Sequence, residues 1–151
     1  MTHQHRTYDF RINGEDVGTF ELLWTEDELY QRATFTTDDQ VVDTEYILRL
    51  NREDVVGFRT DSDDPWTTMD EYPDDAYPTA SFPLLLEKAQ PRFRYRAIDE
   101  STGALGEYRE LDRRGDTIDE IRNDEVIRSF TMRNGVVVEI DWGGATSTLQ
   151  D

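Results

Sequence analysis

Side chains that commonly do chemistry are scarce in this chain. Histidine occurs only at His3 and His5, and cysteine is absent. Two histidines at that spacing can touch a metal from an extended segment, but no third ligand is fixed beside them. A Ser-His-Asp triad or a Cys-His pair inside a folded core is excluded, as are disulfides, thiolate zinc sites and iron–sulfur clusters. No catalytic residue, metal site or cofactor is therefore expected.

Carboxylates are abundant, and abundance makes any pair of them uninformative. An acid on an inward face would mean more, because burial raises its pKa. Asp43 and Glu45, flanked by Val41 and Ile47, are the two to inspect. A solvated sheet face is the ordinary alternative for both. Asp61-Ser62-Asp63-Asp64 has the composition of a hard-cation loop. It lacks the Gly and the distal bidentate Glu of a calcium loop, so it reads as an acidic surface turn.

Two groups of residues remain as candidates for ligand binding. Arg92, Arg94 and Arg96 alternate with Phe93, Tyr95 and Ala97. A period of two puts the three guanidinium groups on one face of a strand, within reach of a shared carboxylate or phosphate. Cross-strand pairing with Glu107 or Glu110 is the competing use of the same charges. The second group is aromatic: Trp24, Tyr46, Trp66, Tyr72, Tyr77, Phe82, Tyr95 and Trp142. Inward aromatics of a curved sheet either fill its interior or line a cavity for an apolar ligand. The expected ligand-binding residues are Arg92, Arg94, Arg96, Tyr95, Trp24, Tyr46, Trp66, Tyr77 and Trp142.

Strands must position these side chains, because apolar residues recur at every second place. Tyr8, Phe10 and Ile12 precede Asn13-Gly14, after which Phe20, Leu22 and Trp24 resume the alternation. Asn-Gly between two such runs is a strong hairpin signal. Further runs follow at 29–35, 41–50 and 55–60, then at 92–97, 107–112, 117–122, 126–132 and 136–142. The stretch from Asp61 to Pro83 breaks the pattern with four of the five prolines, and a short helix follows at Phe82–Gln90, with Ser81 as its cap and Pro91 at its end. The fold expected is mainly β. About ten antiparallel strands form a meander, curved strongly or closed into a barrel, with one short helix and a long loop inserted midway. One domain spans 1–151, with a flexible N-terminus at 1–6, the loop–helix insertion at 61–91 and a loose tail at 143–151.

The charge balance describes a habitat more than a reaction. There are 34 acidic residues against 16 basic ones, of which Lys88 is the single lysine, giving a net charge of −18. The acids are spread over nearly every turn. In roughly molar salt the Debye length falls to about 3 Å, which screens the repulsion such a coat creates. A salt-adapted protein is expected. The negative surface argues against nucleic acid and anionic membranes as partners. The N-terminus lacks the apolar stretch of a signal peptide, and no run is long enough to span a bilayer, so the expected location is cytoplasmic.

The opening Tyr8-x-Phe10-x-Ile12-x-Gly14-x-x-x-Gly18-x-Phe20-x-Leu22 resembles bacterial curved-sheet proteins. These are the LolA-type lipoprotein carriers, the violacein-pathway enzyme VioE, and related lipid- or glycolipid-binding families. The resemblance covers the first hairpin and the overall layout. It implies a half-barrel of about ten strands around a helix-bearing insertion, and in the carriers the concave side binds acyl chains. It transfers no catalytic residue, and the chain departs from the exported carriers in having no signal peptide. The function expected is cofactor-free binding or carriage of a small apolar or amphiphilic ligand, with 61–83 as lid and the Arg stripe at the ligand's acidic end. The alternatives are a self-associating module with a filled core, such as a homodimer, and a metal-independent enzyme that positions a reactive substrate.

Overall fold

A computed structural model describes residues 4–52 and 54–150. Ten of its strands are those the alternation predicts. The first half holds β1 (Gln4–Ile12), β2 (Glu15–Trp24), β3 (Glu28–Thr37), β4 (Gln40–Asn51) and β5 (Asp54–Arg59). Two very short strands, β6 (Thr67–Thr68) and β7 (Ala76–Pro78), lie within the insertion. The second half holds β8 (Arg92–Ile98), β9 (Leu105–Arg114), β10 (Thr117–Arg122), β11 (Glu125–Arg133) and β12 (Val136–Asp141), and β13 (Ala145–Leu149) ends the series.

All thirteen form one open sheet, in the order β6-β5-β4-β3-β2-β1-β13-β12-β11-β10-β9-β8-β7. Each half is an antiparallel meander, and the join between them is made by the chain's two ends. Residues 145–149, expected as part of a loose tail, pair with β1 through Tyr8–Leu149 to Ile12–Ala145 and with β12 through Glu139–Thr148 to Asp141–Thr146. The backbone ladder, not side-chain bulk, places this Ala-Thr-Ser-Thr-Leu segment. Residues 4–6 of the expected flexible N-terminus belong to β1, and residues 1–3, His3 included, lie outside the described residues. Among the described residues the one parallel pairing is β7 with β8.

Four tight turns set the hairpin registers. Asn13-Gly14, Asp38-Asp39, Asn123-Asp124 and Asn134-Gly135 each have positive φ at both residues. That is the two-residue turn whose twist matches the flanking strands. Five register shifts, near Phe10, Arg49, Arg96, Glu120 and Thr131, add bulges that bend the ribbons. The last shift places an extra residue in β12: Met132 opposes Val137 and Phe130 opposes Ile140, so Val137 and Ile140, three positions apart, are both buried.

The concave face is occupied by the insertion. A helical segment runs through 79–88, with α1 (Phe82–Leu85) between two single 3-10 turns. Ser81, expected as a cap, makes no capping hydrogen bond among the described residues and sits in the first 3-10 turn, with Pro83 just inside α1. Phe82, Leu84, Leu85 and Leu86 are buried against both halves of the sheet. The Phe82 ring lies 6.5 Å from Phe20 on β2 and 5.1 Å from Phe130 on β11. Burying each such side chain contributes about 1.5–3 kcal/mol, so the insertion acts as a plug.

Two hydrogen bonds measure the curvature. Gln31 on β3 donates to the Ala80 carbonyl at 2.6 Å, and Arg128 on β11 donates to the adjacent Thr79 carbonyl at 3.2 Å. Five strand intervals separate β3 from β11. In a flat sheet that is roughly 24 Å at the usual strand spacing, so the sheet wraps around this peptide segment. No helix among the described residues is long and apolar enough to cross a membrane.

Candidate functional site

Where the plug leaves the concave face uncovered, a groove of about 280 Å³ remains. Its walls are apolar: Phe10 and Phe20 from the first hairpin, Ala33 from β3, Tyr46 from β4 and Trp142 after β12. Gln31, Thr79 and Arg128 bring polar atoms to it. The Phe10 and Phe35 rings stand 4.8 Å apart, and both residues pair with Gly18. A Cβ on Gly18 would collide with the Thr34 carbonyl and lie 2.6 Å from the Phe35 Cα, so only glycine allows this close strand approach.

Beneath the groove lies a buried charge network. The Asn123-Asp124 turn and the bulge after Glu120 set Glu120 on β10 directly opposite Arg128 on β11. Glu120 is fully buried and accepts from Arg128 Nε, from the Tyr95 hydroxyl and, at 3.2 Å, from Arg109 Nη1. Burial alone would push its pKa up, but Arg128, Tyr95 and Arg109 outweigh burial and hold it below the ordinary 4.5. Burial, reinforced by the Glu120 charge, pushes the Tyr95 phenol up, so it stays a neutral donor. The Arg128 guanidinium is itself packed 4.9 Å from Phe82, 5.0 Å from Phe130 and 5.4 Å from Trp142, and it forms part of the groove floor.

A second buried acid fixes the plug from the other side. Glu100 follows β8; its Oε1 accepts from the Thr79 hydroxyl at 2.6 Å and its Oε2 from the Ala80 amide at 2.7 Å. Burial raises its pKa, against the lowering effect of these donors and of Arg128. Residues 79–80 are thus held by Gln31 on β3, Glu100 in the turn after β8 and Arg128 on β11. Glu100 also lines a second cavity of about 440 Å³, with Asp99, Glu107, Arg109 and Arg122. Tyr46 and Thr79 line both this cavity and the groove.

The nine residues expected to bind a ligand are dispersed. Tyr46 and Trp142 come together in the groove. Tyr95 lies fully buried in the charge network, and Tyr77 packs edge-on against it at 6.3 Å and against Phe93 at 6.1 Å. Trp24 lines a separate cavity of about 220 Å³ beside Pro83 and Leu86. Trp66 lies near Gly57, on the face of β4–β5 opposite buried Leu48 and Phe58, stacked 4.1 Å from the Arg59 guanidinium.

Arg92, Arg94 and Arg96 point away from the groove, because the pleat that turns Tyr95 inward turns its neighbours outward. Arg92 pairs with Glu110 at 3.6 Å and Asp112 at 3.5 Å, the cross-strand alternative. Arg94 stacks 4.0 Å over the Tyr108 ring, and Arg96 lies 5.5 Å from the same ring. Asp43 and Glu45 are likewise on an outer face. Asp43 pairs with Arg32 at 2.7 Å, and Glu45 accepts from Tyr30 at 2.8 Å.

The inward acids are instead Glu100 and Glu120, with Arg128 and Arg109 beside them. A signal was present for two of them: Ile118 and Glu120 share parity, as do Arg128 and Phe130, on strands joined by a two-residue turn. Opposite charges on facing inward positions mark a buried pair. Nothing comparable announces Glu100, which follows the end of its strand. Among the described residues no group of His, Cys, Asp or Glu is arranged to hold a metal ion. No family model, no curated protein and no solved structure matches the chain.

Proposed function

We propose that this chain is a binding protein for a small apolar or amphiphilic ligand, which it takes into the groove between the plug and the first hairpin. The observation that carries this reading is the composition of that groove. Four aromatic residues, Phe10, Phe20, Tyr46 and Trp142, wall it, and Gln31 and Arg128 stand among them with their heads already anchored. An apolar wall with a few fixed polar groups is the usual chemistry of a small-molecule site. The outward Arg stripe has no part in it.

A self-associating module is the second reading, favoured by the extent to which Phe82, Leu84, Leu85 and Leu86 fill the concave face. Native mass spectrometry of protein purified without denaturation separates the two. A copurifying small mass that is lost on Trp142→Ala supports ligand binding. A bare homodimer supports the module and contradicts the ligand proposal.

A further inference from the structure

We infer that the cavity beside Trp24 is a second ligand site, and that it takes a small carboxylate with an apolar body. The site stands or falls independently of the groove. Tyr8, Leu22 and Trp24 wall it from the first hairpin, Leu86 from the plug and Met132 from β11. Arg6 and Arg113 bring two guanidinium groups to the same cavity, against the single carboxylate of Glu87, which is exposed.

The pleat turns both arginines inward. Arg6 shares the face of buried Tyr8, and Arg113 that of buried Leu111. Arg6 lies close enough to Tyr8 to oppose the burial that pushes its phenol up to about 12. Among the described residues Arg6 makes no hydrogen bond or ion pair. The Arg113 guanidinium commits only Nε there, to the Gly115 carbonyl at 3.1 Å. Their terminal nitrogens therefore remain as donors at one small apolar cavity. The inward cations elsewhere are already engaged, since Glu120 accepts from both Arg128 and Arg109. A carboxylate takes charge-assisted, bidentate hydrogen bonds from a guanidinium. An excess of one positive charge in the lining matches one anionic head. An ammonium would be repelled, and a carboxamide would leave the guanidinium charge unanswered. The apolar walls accommodate the body of the molecule.

The test titrates 15N-labelled protein with octanoate and with octanamide, which differ in the head alone. It follows the Trp24 indole N–H by NMR in roughly 1 M KCl, which screens the acidic coat. Octanoate is expected to shift that signal saturably and to bind about tenfold more tightly than octanamide, the worth of one charge-assisted bond. Arg6→Gln removes no polar contact among the described residues, and Arg113→Gln removes one with a turn carbonyl. Each is expected to cut the preference below about threefold. The Trp142 signal, from outside this cavity, reports in the same spectra that each variant is folded. Equal affinities at Trp24 would overturn recognition of the charge. A preference that survives both substitutions would overturn the assignment to Arg6 and Arg113. A Trp24 signal unmoved by octanoate would overturn the site itself. The groove reading is tested separately, by the response of Trp142 to octanamide.

Discussion

Replacing Arg128 by Met removes the cation from a fully buried carboxylate while keeping most of the side-chain volume against Phe82, Phe130 and Trp142. Glu120 would retain Arg109 at 3.2 Å and the Tyr95 hydroxyl, so it would not be wholly stripped. Breaking a buried ion pair from one side costs about 3–5 kcal/mol. The remaining partners put the expected loss near the lower end, about 3 kcal/mol. For a chain of this length that lowers Tm by about 6–12 °C. The double variant Arg128→Met/Glu120→Gln removes both charges and should recover much of the loss, with a coupling of about 2 kcal/mol or more. Urea unfolding at fixed KCl, followed by tryptophan fluorescence, measures all three variants without changing ionic strength. The pH dependence has a definite sign. Glu120 is held below 4.5 in the folded protein, so the pair's contribution is present above that value and fades as pH falls through the folded pKa. The gap between wild type and Arg128→Met should therefore narrow below pH 4.5. A single variant within about 0.5 kcal/mol of wild type, or strictly additive variants, would refute the assignment of Glu120–Arg128 as a coupled buried pair.

Gly18→Ala should destabilise the protein by about 1–3 kcal/mol, read as a lower urea midpoint, because its Cβ meets backbone rather than a movable side chain; an unchanged midpoint would contradict the close approach. Glu100 shows the opposite pH behaviour to Glu120. Burial holds its pKa above 4.5, so the folded state binds that proton more tightly and stability falls as pH rises from 4.5 through the folded value. Glu100→Gln should lose that slope, the variant gaining on wild type with rising pH, and a constant difference would count against a buried acid there. With a net charge of −18, stability should rise between about 0.1 and 3 M KCl as the Debye length contracts from about 10 Å to below 3 Å. Unfolding midpoints indifferent to KCl would remove the screening argument.

Period-two alternation located the ten strands, and Asn13-Gly14 declared the first turn, because both signals are local. The features that were hidden depend on distant partners. Strand β13 carries no run of large apolar residues, and its place is decided by backbone pairing with β1 at the far end of the chain. The bulge near Thr131 shifted parity within β12, which no count of alternation within that strand reveals. The Arg stripe was read correctly as one face, yet which face it occupied depended on Tyr95 being the side chain drawn to Glu120. Tyr46 and Trp142 were legible as aromatics but not as neighbours, because only the closure of β1 on β13 brings the two halves together.

The most direct measurement follows the three tryptophan indole N–H signals of 15N-labelled protein by NMR during titration with octanamide. Trp142 lines the groove, Trp24 a separate cavity, and Trp66 stacks on Arg59 across the sheet from the core. Ligand in the groove should shift the Trp142 signal in a saturable way and leave Trp66 fixed. Saturation accompanied by movement of Trp66 alone, or no shift at any of the three, would contradict a ligand site in the concave groove.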